Sequence, residues 1–216
     1  MSDWDEQQIL EPTRTALFEQ LGILCLDGSG SMTVKGDRGL SLADNVNDAV
    51  REFLTFFKGS RKASNFSIAV ITFDGNAVPH TETTKLLDID DNADYNPLNG
   101  HGGGTNIGAA LLEAERFANG FLSTSSEVPR SVIIIVMSDG ECGSPASTKS
   151  IAAGLKQNNN IKICSTLFTS RGNIGSDEAN RAADVLKEIA SSPNHYKTIS
   201  TQRELRDFFV ASSENN

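Results

Sequence analysis

Three short stretches of the chain carry the side chains best suited to chemistry. Asp27-Gly28-Ser29-Gly30-Ser31 sets one carboxylate and two hydroxyls at alternate positions. Thr105 follows the run Gly102-Gly103-Gly104, and Asp139 lies within Ser138-Asp139-Gly140. All five side chains, Asp27, Ser29, Ser31, Thr105 and Asp139, are hard oxygen donors. Magnesium takes such donors in an octahedron and keeps several of its waters. The alternate spacing lets one loop turn three oxygens toward a common point, and the intervening glycines relax the backbone restrictions that oppose it. Serine and threonine are neutral, so an ion held with only two carboxylates stays electrophilic. It keeps an open position for a carboxylate from another protein. Mg2+ is the expected ion, with Mn2+ or Ca2+ as alternatives.

Strands and helices must carry these loops to one place. The apolar run at 21–26 ends in Asp-Gly and suits a strand buried on both faces. Leu42, Val46, Ala49, Val50, Phe53, Leu54 and Phe57 recur at three- and four-residue spacing, which predicts an amphipathic helix. A strand follows at 66–73, and Asp74-Gly75-Asn76 turns it into a short antiparallel edge strand around Ala77 and Val78. Ile107, Leu111, Ala114, Ala118 and Phe121 mark a second helix, and the β-branched run at 132–136 a central strand. Ser144-Pro145 opens a third helix. A strand at 161–168, a helix at 177–190, a strand at 196–199 and a helix capped by Thr201 and Glu204 complete the chain. Strands alternating with helices mean right-handed crossovers. The fold class is therefore α/β: a doubly wound, three-layer, mostly parallel sheet of about six strands. In such sheets ligands bind beyond the carboxyl ends of the strands, where the three oxygen-bearing loops converge.

In order and spacing, Asp27, Ser29, Ser31, Thr105 and Asp139 resemble the metal-ion-dependent adhesion site of von Willebrand factor A domains, and no position is missing. The similarity spans about residues 21–212, with residues 1–20 as an N-terminal arm. It looks nearest to small stand-alone bacterial members such as those of tellurium-resistance-type and ATPase-associated systems. The resemblance implies a Rossmann-like fold in which Ser29, Ser31 and Thr105 contact the metal directly, and Asp27 and Asp139 partly through water. It also implies a non-enzymatic adaptor whose metal bridges to an Asp or Glu of a partner protein, and a domain that switches between states.

Other chemistries fit the residues less well. An aspartate-based, magnesium-dependent phosphohydrolase would use Asp27 as nucleophile. It wants an acid where Ser29 stands, and a lysine that Lys149 and Lys162 do not convincingly supply. A serine-hydrolase elbow needs glycines where Asp27 and Ser31 flank Ser29, and a phosphate loop needs Gly-Lys-Ser/Thr, which is missing near these loops. Gly28 and Gly30 lack the third glycine of a dinucleotide fingerprint, Thr33 standing in its place. Asp88, Asp90, Asp91, Asn92 and Asp94 fail the calcium-loop pattern, with Tyr95 and His101 where glycine and glutamate belong. They are expected to form a solvated acidic loop. A metal-independent structural subunit is the remaining alternative.

Nineteen basic against 28 acidic side chains give a net charge of −9, which repels phosphate backbones and argues against nucleic acid and anionic membranes as partners. The acidic start, Asp3, Asp5 and Glu6 around Trp4, has the character neither of a secretory signal nor of a membrane span. Cys25, Cys142 and Cys164 are an odd, sparse set without metal-ligand spacing, as expected of a reducing, cytoplasmic setting. His101 is expected at the surface rather than lining the site, and Asp74 as a turn residue, with a place at the periphery of the site as the alternative. Cys142 is expected exposed beside the metal, and Trp4 as an anchor for a partner or for its own domain.

Overall fold

The computed structural model describes residues 18–214. Six strands form one sheet: β1 (Glu19–Asp27), β2 (Phe66–Phe73), β3 (Ala77–Lys85), β4 (Arg130–Ser138), β5 (Ile161–Phe168) and β6 (Tyr196–Ile199), in the order β3-β2-β1-β4-β5-β6. Every pairing is parallel except β2 with β3, where the Asp74-Gly75-Asn76 turn reverses the chain at the sheet edge. Helices α1 (Leu42–Lys58) and α5 (Gln202–Glu214) cover one face. Helices α2 (Ile107–Ser123), α3 (Pro145–Leu155) and α4 (Asp177–Ile189) cover the other.

Side chains alternate across a strand, so a strand buried on both faces must be apolar throughout. In β4, Val132, Ile134 and Val136 pack beneath α2, α3 and α4, while Ile133, Ile135 and Met137 pack beneath α1 and α5. In β1, Leu21, Ile23 and Cys25 take the first face and Leu24 and Leu26 the second. Helix α1 contributes Val46, Val50, Phe53, Leu54 and Phe57 as one stripe. Its start is fixed by a reciprocal capping box between Ser41 and Asp44. At α5, Thr201 Oγ1 accepts from the Glu204 amide, and the Glu204 carboxylate reaches back to the Ser200 amide.

Two elements differ from expectation. β3 runs for nine residues rather than two or three. Its sequence is polar with Pro79, as an edge strand can be, so hydrophobic patterning reveals only its start. β1 begins at Glu19, before the apolar run, because Glu19 is fixed by ion pairs to Arg130 and Lys85.

The order of the sheet decides where a ligand can sit. β1 pairs with β2 on one side and with β4 on the other, so the loops leaving β1 and β4 part in opposite directions and open a crevice. In register, Leu26 faces Met137 and Asp27 faces Phe73. Asp27 is thereby brought level with Ser138 at the floor of that crevice.

Because Ile134 is fully buried at the sheet centre, Ile134→Ala is expected to cost about 2–5 kcal/mol by urea denaturation. Phe56→Ser, at a position 59% exposed on α1, should stay within about 0.5 kcal/mol.

Candidate metal centre

Asp27 closes β1 and is fully buried. Burying a carboxylate is costly unless its oxygens are hydrogen-bonded. The Ser29 amide donates to Oδ1 at 2.8 Å, and Ser138 Oγ donates to Oδ2 at 2.5 Å. The next residue has to be glycine, since a Cβ on Gly28 would lie 2.0 Å from the Pro97 carbonyl oxygen. The chain then winds into a short 3-10 turn at Gly30–Thr33, pinned to the core by fully buried Met32. Ser29 is buried and Ser31 exposed, so the two hydroxyls stand at different depths of one wall. They lie 3.0 Å apart, and Ser31 Oγ donates to Asp139 Oδ1 at 2.8 Å.

The loop before α2 supplies Thr105. It ends there because Asn106 caps the helix, its Oδ1 accepting from the Ala109 amide. The loop is tied to the first wall by the Gly30 amide donating to Gly103 O at 3.0 Å. It is tied to the third by the Gly143 amide donating to Thr105 O at 2.8 Å. A methyl group placed on Gly140 would lie 3.4 Å from Ser31 Oγ and 3.5 Å from Thr105 Oγ1. Those two hydroxyls therefore border the same small space. Asp27, Ser29, Ser31, Thr105 and Asp139 all border one crevice, Asp27 at its floor, delivered by the ends of β1 and β4 and the loop before α2.

The electrostatics follow from burial. Asp139 is pushed up to about 7 by burial and then by the charge of Asp27, against a hydrogen bond from Ser31. Burial likewise raises Asp27, opposed by Ser138 and Ser29, with the charge of Asp74 adding to the rise. Among the described residues, no ion pair to Lys, Arg or His reaches either carboxylate. Two acids destabilised in this way, beside three neutral hydroxyls, fit a hard divalent cation in charge and donor type. Among the described residues, no group of three or more His, Cys, Asp or Glu is placed to hold a metal ion, so a metal here would depend on the hydroxyls.

Several expectations need correction. His101 is not at the surface: its side chain is 6% exposed, with Nδ1 3.2 Å from Asp74 Oδ1 and Nε2 3.0 Å from Thr72 Oγ1. The order Thr72, His101, Asp74 imitates a catalytic triad, but Thr72 is buried within β2. Cys142 is buried, its sulfur 3.2 Å from Thr148 Oγ1, and does not face the crevice. Asp74 does more than shape its turn, since Oδ2 accepts from the Gly103 amide in the Thr105 loop. Its place at the end of β2, on the same rim, was the available signal. The acidic loop is solvated as expected, with Asp88, Asp90 and Asp94 exposed, and its carboxylates have separate partners: Asp91 pairs with Lys58, Asp94 with Asn99, and Asp90 accepts from the Asn92 amide. Lys149 pairs with Glu188. Trp4 lies outside the described residues.

The upward shift of Asp139 has a sign for stability. A carboxyl whose folded pKa is raised contributes stability below its ordinary value near 3.8 and loses it as pH climbs through about 7. In chelator, the melting midpoint of the wild type relative to Asp139→Asn should therefore fall between about pH 4 and 7. A constant difference across that window would contradict the assignment.

A family model described as von Willebrand factor type A domain matches residues 23–211. A search of curated protein sequences gives no match. Among solved structures, the open conformation of the pilus adhesin SpaC from Lactobacillus rhamnosus GG is similar with a TM-score of 0.73 and 13% identity, over 91% of this chain and 30% of that one. The vWF domain of the type V pili tip protein Mfa5 from Porphyromonas gingivalis gives 0.66 and 12%, over 93% and 95%. Proximal thread matrix protein 1 from the mussel byssus, with a zinc occupied MIDAS motif, gives 0.55 and 17%, over 92% and 46%. The chain thus spans less than half the length of SpaC and of the byssus protein, and at these identities the likeness is one of fold. The family match runs from β1 into α5 and takes in all three loops of the crevice. The chain belongs to the von Willebrand factor type A domain family.

Proposed function

We propose that this chain is a divalent-cation-dependent protein-binding module, with Asp27, Ser29, Ser31, Thr105 and Asp139 forming an intact metal-ion-dependent adhesion site. The observation that carries this reading is the continuous chain from Asp27 through Ser29 and Ser31 to Asp139, with Thr105 across the same gap. Bound Mg2+, or Mn2+ or Ca2+ in its place, would supply an electrophilic centre for an Asp or Glu of the partner. Asp27 sets the position of Ser29 through the backbone amide and is itself fixed by Ser138. Ser31 is exposed and Thr105 half-buried, so both can be reached by an approaching partner. Asp139 shares the charge burden with Asp27 and holds Ser31 in place.

Binding suits this arrangement better than phosphate transfer. Asp27 is fully buried with both oxygens accepting hydrogen bonds, a poor posture for attack on phosphorus. Of the two lysines considered for such chemistry, Lys149 is paired with Glu188. We further propose a reducing, cytoplasmic setting, supported by three free cysteines that are all buried. The proposal extends to a bacterial multi-component stress-response, signalling or ATPase-linked system, with residues 21–212 as the binding domain and residues 1–20 as an arm. That part rests on the resemblance of the motif to stand-alone members.

Calorimetric titration tests the reading. Metal-free protein should take up about one Mg2+ or Mn2+ per chain, the stoichiometry of a single octahedral site. Ser31→Ala and Thr105→Ala should each weaken binding at least about tenfold, or roughly 1.4 kcal/mol, with little change in melting temperature. A folded wild type that takes up neither ion ends the proposal. Release of phosphate from p-nitrophenyl phosphate that disappears in Asp27→Asn replaces it with the phosphohydrolase reading.

A further inference from the structure

We propose that Asp74 is a positioning residue for the metal rim, setting where Thr105 stands relative to Ser29 and Ser31. The inference rests on the metal reading above and goes beyond it, because Asp74 belongs to none of the three motif segments.

The two carboxylate oxygens of Asp74 do different work. Oδ1 accepts from the Asn76 amide at 3.1 Å and so closes the hairpin turn, as aspartate commonly does. Oδ2 reaches across to the next loop and accepts from the Gly103 amide at 3.1 Å. The Asp74 backbone carbonyl accepts from the Asn106 amide at 2.7 Å. One residue thus grips the loop on both sides of Thr105, two positions before it and one after. Gly103 in turn presents its carbonyl to the Gly30 amide, between Ser29 and Ser31. Two hydrogen bonds therefore connect the Asp74 side chain to the wall that carries the serine hydroxyls.

The grip is itself supported. His101 lies against Asp74 Oδ1 and is anchored by Thr72 from within β2. Hydrogen bonds from Asn76 and Gly103, and the neighbouring imidazole, hold the Asp74 carboxyl below the usual carboxylate range despite partial burial. Gly103 fits closely under it, since a Cβ there would lie 3.0 Å from Asp74 Oδ2. A turn alone would require only Oδ1. The second oxygen, the imidazole and the close-fitting glycine together make a brace.

The choice of ion separates a brace for the rim from a merely stabilising contact. Mg2+ and Mn2+ demand near-octahedral oxygens, whereas Ca2+ tolerates irregular and more numerous ligands. Asp74→Asn keeps the shape of the side chain and an acceptor for one amide, but cannot offer two acceptors. Wild type and Asp74→Asn would each be titrated with Mn2+ and Ca2+, with amide hydrogen exchange followed at Gly103. The expected result is Mn2+ binding weakened about tenfold, Ca2+ binding weakened about threefold or less, and faster exchange at Gly103. Unchanged binding of both ions, or equal losses for both, overturns the positioning role while leaving the metal site standing. A wild type that binds neither ion overturns the metal reading and this inference together.

Discussion

Two carboxylates are withheld from water at the seam where the β1 and β4 loops part, and most of the local architecture answers to that constraint. Asp27 is fully buried and Asp139 partly so, each raised by burial and both pushed further by neighbouring carboxylates. Such a pair is expensive in a folded protein unless something positive or hydrogen-bonding meets it. The chain answers with neutral groups: Ser138, the Ser29 amide and Ser31. Neutral donors orient the acids without discharging them, so the crevice keeps an attraction for a cation that a lysine or arginine would have removed.

The fold makes this arrangement possible by being rigid below and open above. The floor is the carboxyl end of a sheet whose central strands are apolar on both faces. The walls are loops that hold one another by backbone hydrogen bonds, Gly30 to Gly103 and Gly143 to Thr105. Glycine is needed where the chain is approached closely: Gly28 lies under the Pro97 carbonyl and Gly103 under the Asp74 carboxylate. In the proposed reading, hydroxyls at staggered depth would leave the outer coordination positions of a bound ion to water or to a partner.

Much of this was legible in the sequence. The runs at 21–26 and 132–136 could be little other than buried parallel strands, and helical spacing marked α1 and α2. The five oxygen donors stood out because their types, their order and the strand ends and helix-entry loop that carry them agreed, and the structure brings those loops to one crevice. What escaped was whatever depends on contacts between distant segments. β3 is too polar to show its length, because one edge of it is open while its partner β2 is buried throughout. His101 reads as a loop histidine until β2 is seen to bring Thr72 and Asp74 to either side of its ring. Cys142 follows Asp139 closely, yet the chain turns it inward toward Thr148. Periodicity carries no information about such meetings.

The central claim, that one ion sits among Ser29, Ser31 and Thr105, is tested most directly by crystals grown with Mn2+ and measured near the manganese absorption edge. The account predicts a single anomalous peak in the crevice within about 2.5 Å of those three hydroxyl oxygens, a hard cation's reach to oxygen, with Asp27 and Asp139 beside it. A peak confined to the acidic loop at 88–94, or none in the crevice at saturating Mn2+, would contradict it.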